Sequence, residues 1–173
     1  MPIRGQILDR VFSLPVIHLL LLIFGSSFFV SYLLGTSPKH ELSFVQSKAL
    51  EGDPYYQGSL SLCYKYGEKG LPIDLGESER WAKLGAQQDG GIAMSVLASI
   101  ELERNKVERG QFLYDEAYLH SNLRDLAKAK DPIALFCVGL MEIDNPPRNI
   151  EKGMLNLERS ADQGLATAQA TLG

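Results

Sequence analysis

Three short stretches of this chain repeat one design, and that repetition constrains the fold more than any other feature. They are Ala86-Gln87-Gln88-Asp89-Gly90-Gly91-Ile92-Ala93, Ala127-Lys128-Ala129-Lys130-Asp131-Pro132-Ile133-Ala134 and Ala161-Asp162-Gln163-Gly164-Leu165-Ala166-Thr167-Ala168. In each, one Ala closes an apolar pattern and another, seven residues on, opens the next. The turn between them carries Gly or Asp-Pro, residues that stop one helix and start another. Glu51-Gly52-Asp53-Pro54-Tyr55-Tyr56 reads as a fourth junction that lacks its leading helix. The follower positions Tyr56, Ala93, Ala134 and Ala168 are spaced by 37, 41 and 34 residues, a period that suits stacked helical hairpins.

Each unit then reads alike. A first helix carries closely spaced small and apolar residues: Leu60, Leu62, Cys63 and Tyr64; Val96, Leu97, Ala98 and Ile100; Val138, Gly139, Leu140 and Met141. Second helices are expected over 76–86, 112–130 and 150–161. In the first of these, Trp81, Leu84 and Gly85 form an apolar stripe flanked by Glu77, Glu79, Arg80 and Lys83. Helices of adjacent hairpins approach closely only where Ala or Gly removes the side-chain spacer, so the junction residues are expected at helix contacts. The chain closes on Ala166-Thr167-Ala168-Gln169-Ala170-Thr171-Leu172-Gly173, which reads as the opening of another first helix, either cut short or serving as a cap.

The N-terminal part is a different kind of sequence. No Asp, Glu, Lys or Arg occurs between Arg10 and Lys39, and Val11 to Leu34 would make about 36 Å of helix, enough for a hydrocarbon core of about 30 Å. Arg4 and Arg10 before the run favour a cytoplasmic N-terminus with the repeats outside. An uncleaved single-pass anchor is the leading reading. A cleaved signal, with Gly25, Ser26 and Ser27 as the small residues and a secreted product, stays open, as does a buried helix in a soluble protein. The segment 1–36 is thus set apart from a repeat domain over 43–173. With Arg4, Arg10 and Asp9 set aside, 15 basic residues face 20 acidic ones, and no Lys/Arg cluster is present to neutralise phosphates; nucleic acid is excluded as a partner.

Taken together, Gly52-Asp53, Leu60, Cys63-Tyr64, Gly67, Gly70-Leu71-Pro72, Asp74, Trp81 and Ala86 resemble the Sel1-like repeat, a relative of the tetratricopeptide family. A further copy keeps Asp131-Pro132, Ala134, Gly139, Asn145, Pro147, Asn149, Glu151-Lys152-Gly153, Ala161 and Gly164, whereas the unit between has lost its double-glycine loop over 101–111. The resemblance covers about residues 43–173. It implies an all-α fold, an α/α right-handed superhelical solenoid of hairpins preceded by a hydrophobic N-terminal helix. It also implies an adaptor module of a multiprotein assembly, of the kind found in bacterial envelopes. Some relatives staple each hairpin with a disulfide; no unit here holds two cysteines. Cys63 and Cys137 lie two units apart, at roughly 10 Å per hairpin, beyond the reach of about 7 Å that a disulfide allows, and they read as buried thiols acting as small hydrophobes.

Little in the chain points to catalysis. His18, His40 and His120 share no metal-ligand spacing, and neither a Gly-x-Ser-x-Gly elbow nor a phosphate loop occurs. Gly67-Glu68-Lys69-Gly70 reads as a hairpin connector whose glycines permit positive φ. Glu101 and Glu103 lie two apart on one helix and cannot face each other. No enzyme, cofactor or metal is expected. The aromatic residues supply the functional hint: Tyr55, Tyr56 and Tyr66 are divided between packing and an exposed patch on a concave face that would receive a partner peptide or protein. The alternatives are an envelope-associated hydrolase and a self-assembling membrane subunit.

Overall fold

The computed structural model describes residues 42–173, and every regular element in that span is a helix. The expected anchor at 11–34 lies outside the described residues, as do His18 and His40. In order the elements are α1 (Leu42–Leu50), α2 (Pro54–Tyr66), a 3-10 turn (Glu68–Gly70), α3 (Leu75–Ala86), α4 (Gly91–Glu103), α5 (Val107–His120), α6 (Leu123–Lys128), α7 (Pro132–Asp144), α8 (Ile150–Asp162) and α9 (Ala166–Leu172). The all-α class therefore holds, with no strand among the described residues. None of these helices is long and apolar enough to cross a membrane.

The Asp-Pro junctions start helices by capping them. Asp53 accepts from the amides of Tyr55 and Tyr56, and Asp131 from those of Ile133 and Ala134, while the Pro occupies the first turn, where its missing N–H costs nothing. Asp74 and Asn149 cap α3 and α8 in the same way. At the other end of α2, Gly67 takes the left-handed conformation (φ 72°) that closes the helix.

Hairpins form as α2 against α3, α4 against α5, and α7 against α8; the first helices α2, α4 and α7 also touch in succession. The helix before each junction packs on the helix after it: α1 on α2, α3 on α4, α6 on α7, α8 on α9. Small residues stand at these crossings. A Cβ on Gly85 would lie 2.5 Å from the Ala93 Cβ, and one on Gly58 would lie 2.7 Å from the Ala93 amide nitrogen. Gly139 and Gly153 meet in the same manner, each hypothetical Cβ 3.0 Å or less from the other's carbonyl oxygen. The main core runs along α4, α5 and α7, and a smaller one joins Val45, Ala49, Leu60 and Trp81.

Two readings of the sequence are corrected. The first junction does have a leading helix, α1, held by burial of Val45 and Ala49. The single helix expected over 112–130 is two: α5 begins earlier, at Val107, and ends at His120, and α6 begins at Leu123. Ser121 breaks the run in extended backbone, its hydroxyl donating to the Ala117 carbonyl and accepting from the Leu123 amide, a local bond that competes with the helix ladder. The break brings Ser121 and Leu123 onto Gly91, where a Cβ would collide with both.

Candidate partner-binding surfaces

Helix geometry divides the three tyrosines. Tyr55 and Tyr56 occupy the first turn of α2 and Tyr66 its last position, roughly 16 Å further along the axis. The Tyr55 hydroxyl donates to Asp131 Oδ2 at 2.8 Å, so this side chain ties the first hairpin to the third. Burial and the Asp131 charge raise its pKa far above the ordinary phenol value. Tyr56 stands edge-on to Phe44 (5.6 Å) and Tyr55 (5.0 Å) and packs on the smaller core. Tyr66 differs: it is 36% exposed, with its ring edge-to-face on Phe136 at 5.8 Å. Tyr55 and Tyr56 are thus half-buried against packing partners, and Tyr66 is the exposed one of the three.

Around Tyr66 the C-terminal ends of the first helices gather charge. The Lys65 side chain is 3% exposed, yet its Nζ donates to Ser99 Oγ at 2.6 Å and to Glu103 Oε1 at 2.7 Å, joining α2 to α4. Glu103 and Asp144 lie near enough for their charges to act on the Tyr66 hydroxyl, which burial already pushes up. Partial burial raises the Asp144 carboxyl above its usual value. Near them the hydroxyl of fully buried Tyr114 has no hydrogen-bond partner among the described residues. The result is a rim with one open aromatic ring, a neutralised lysine and two carboxylates. Sequence reasoning missed Lys65, Ser99, Glu103 and Asp144; the available signal was the pair of charges, Lys65 and Glu103, ending otherwise apolar first helices.

A second kind of surface lies between second helices. One groove of about 360 Å³ runs between α3, α4 and α5, floored by Met94, Leu97 and Leu113 and edged by Phe112 and Arg109. Another, of about 420 Å³, lies between α6, α7 and α8 over Leu135, with Lys130 and Arg159 at its edge. Met94 and Leu135 each directly follow a junction Ala, so the two grooves occupy matching positions in successive units.

Glu101 points to Lys106 (3.0 Å) and Glu103 to Lys65, so the two carboxylates part as expected. His120 is exposed at the end of α5, and no group of His, Cys, Asp or Glu among the described residues is arranged to hold a metal. Cys63 and Cys137 are buried and unpaired, and burial pushes each thiol up to about 12. The Gly67–Gly70 stretch is a 3-10 connector in which Gly67, Lys69 and Gly70 all have positive φ.

Against known proteins, no family model matches the chain, and no curated protein or solved structure matches it significantly.

Proposed function

We propose that this chain is a protein-binding scaffold: a right-handed superhelical solenoid of Sel1-like hairpins, tethered at a membrane through residues 11–34 with the repeats on the extracytoplasmic side. The charge-free run between Arg10 and Lys39 supports the tether. Junction residues repeated at a hairpin period, with Ala93 in contact with two neighbouring helices, support the repeat assignment. The observation that carries the binding role is the rim at the ends of the first helices. There Tyr66 offers an exposed aromatic ring beside Glu103 and Asp144, on a base fixed by the Lys65–Ser99–Glu103 bonds. A partly open aromatic ring set among held charges suits a peptide or helix of a partner.

The test is a photoreactive phenylalanine analogue at Tyr66 in the full chain, in membranes of cells that make it. A defined partner should be captured from position 66 and not from the same probe at Leu84, on the outward side of α3. Equal capture at both positions, or none at 66, would refute the site. Capture of a second copy alone would favour the self-assembling subunit, a reading supported by the exposed Ile150, Met154 and Leu155 of α8.

A further inference from the structure

The helices that follow junctions do not all start alike. α2 and α7 begin on Asp53 and Asp131, which cap them, and α4 begins on Gly90. The equivalent position before α9 is Leu165, whose side chain can accept nothing, although the first amides of any helix need outside acceptors. Glu68 supplies one from 99 residues away. Its Oε1 accepts from the Thr167 amide at 2.7 Å and also from the Thr167 hydroxyl. Thr167 and Ala168 are buried at this contact, while the rest of α9 from Gln169 onward is exposed.

Glu68 is held in place to do this. It opens the 3-10 turn, whose backbone bends through positive φ at Gly67, Lys69 and Gly70. The turn is closed by Leu71 N–H to the Glu68 carbonyl (3.0 Å) and Asp74 N–H to the Tyr64 carbonyl (2.9 Å). The glycine loop of the first hairpin thus presents a carboxylate at the start of the last helix. Tyr55 to Asp131 and Tyr66 to Phe136 span from the same hairpin to the third.

We propose that Glu68 is a latch: it replaces the missing cap of α9 and holds that helix on the first hairpin. The described turns of α9 rest on α8 and on this carboxylate, so their stability is set by what holds them. Release of the carboxylate frees the helix and leaves the hairpins formed. This concerns α9 alone and does not depend on a partner at Tyr66.

Amide hydrogen exchange on the full chain tests it. In Glu68→Ala, the amides of residues 167–172 should exchange about tenfold faster, the worth of a lost cap, with those of α2 and α4 unchanged. Glu68→Gln, which keeps an acceptor, should fall between. Thr167→Val, which removes the hydroxyl donor from the other side, should loosen the same amides without affecting the first hairpin. Unaltered exchange in Glu68→Ala would overturn the latch. So would wild-type α9 amides already exchanging at the rate of an unstructured peptide.

Discussion

Gly85 to Ala is the substitution that most directly tests how the hairpins are joined. Inside a helix this exchange stabilises by up to about 1 kcal/mol, because Ala is the better helix former, and less at Gly85, the penultimate residue of α3. Here the new Cβ would sit 2.5 Å from the Ala93 Cβ, with the Pro54 carbonyl oxygen at 3.2 Å and the Gln57 Cβ at 3.3 Å. Carbon atoms in contact settle at about 3.5–4.0 Å, so α3 and α4 must part by about 1 Å. Neither methyl can turn aside, since each is fixed to its own backbone. Overpacking of this kind costs about 1–3 kcal/mol. The upper end applies because α2 meets the same point, leaving a net loss of about 2 kcal/mol.

Urea unfolding reads this out. Trp81 is the single Trp of the chain and is buried in the smaller core, so its fluorescence reports opening of the first hairpin. At a slope of about 2 kcal/mol per molar, the midpoint should fall by about 1 M. Adding Ala93→Gly removes the opposing methyl and should restore most of the loss, even though Gly by itself costs a helix about 1 kcal/mol. A Gly85→Ala chain as stable as wild type would refute the joint. So would a double variant less stable than Gly85→Ala alone.

Two further outcomes follow from ionisation. Hydrogen bonds from Arg104 and Lys83 hold the Glu79 carboxyl down to about 2. The unfolded chain then takes up that proton more readily than the folded one, so the stabilisation is present above about pH 4.5 and is lost as pH falls toward 2. With solvent-exposed partners it amounts to about 1 kcal/mol at most, and Glu79→Gln should flatten the fall in urea midpoint between pH 5 and 2.5; an unchanged fall would refute it. Cys63 and Cys137, with thiols pushed up to about 12 and both buried, should resist a disulfide reagent at pH 8 until urea unfolds the chain. Labelling of the folded chain within minutes would contradict their burial.

The junction alanines were legible because a close helix crossing admits only the smallest side chains, whatever surrounds it, and Ala93 stands at such a crossing. Helix α1 was not legible: Val45 and Ala49 are its only buried residues, too few to make a stripe among Ser43, Gln46, Ser47 and Lys48. The break at Ser121-Asn122 was hidden by Leu119, Leu123 and Leu126, whose spacing continues a helical pattern across it. The room that Ser121 and Leu123 occupy is left by Gly91, 30 residues earlier, which no local pattern around the break reveals. Tyr55, Tyr56 and Tyr66 read as candidates for one patch on a concave face, yet eleven residues of helix put Tyr55 and Tyr66 at opposite ends of α2. Lys65 and Glu103 stood out only as charges ending otherwise apolar helices, and their pairing, between positions 38 apart, is visible only in the fold.

A row of repeats in which each unit touches only its neighbours gains stability one interface at a time and can open from either end. The contacts of the first hairpin depart from that rule. Asp131 serves two units at once: Oδ1 caps α7 while Oδ2 receives the Tyr55 hydroxyl. Tyr66 reaches Phe136, and Glu68 reaches Thr167, both across the intervening α4–α5 hairpin. Release of α9 therefore meets resistance from the first hairpin, and the ends of α2, α4 and α7 that frame Tyr66 are tied to one another by the Lys65–Glu103 pair and the Tyr66–Phe136 contact. A rim preorganised in this way loses little side-chain or loop entropy on binding. On the proposed reading, a partner at Tyr66 would meet helix ends already joined by the Lys65–Glu103 pair and the Tyr66–Phe136 contact.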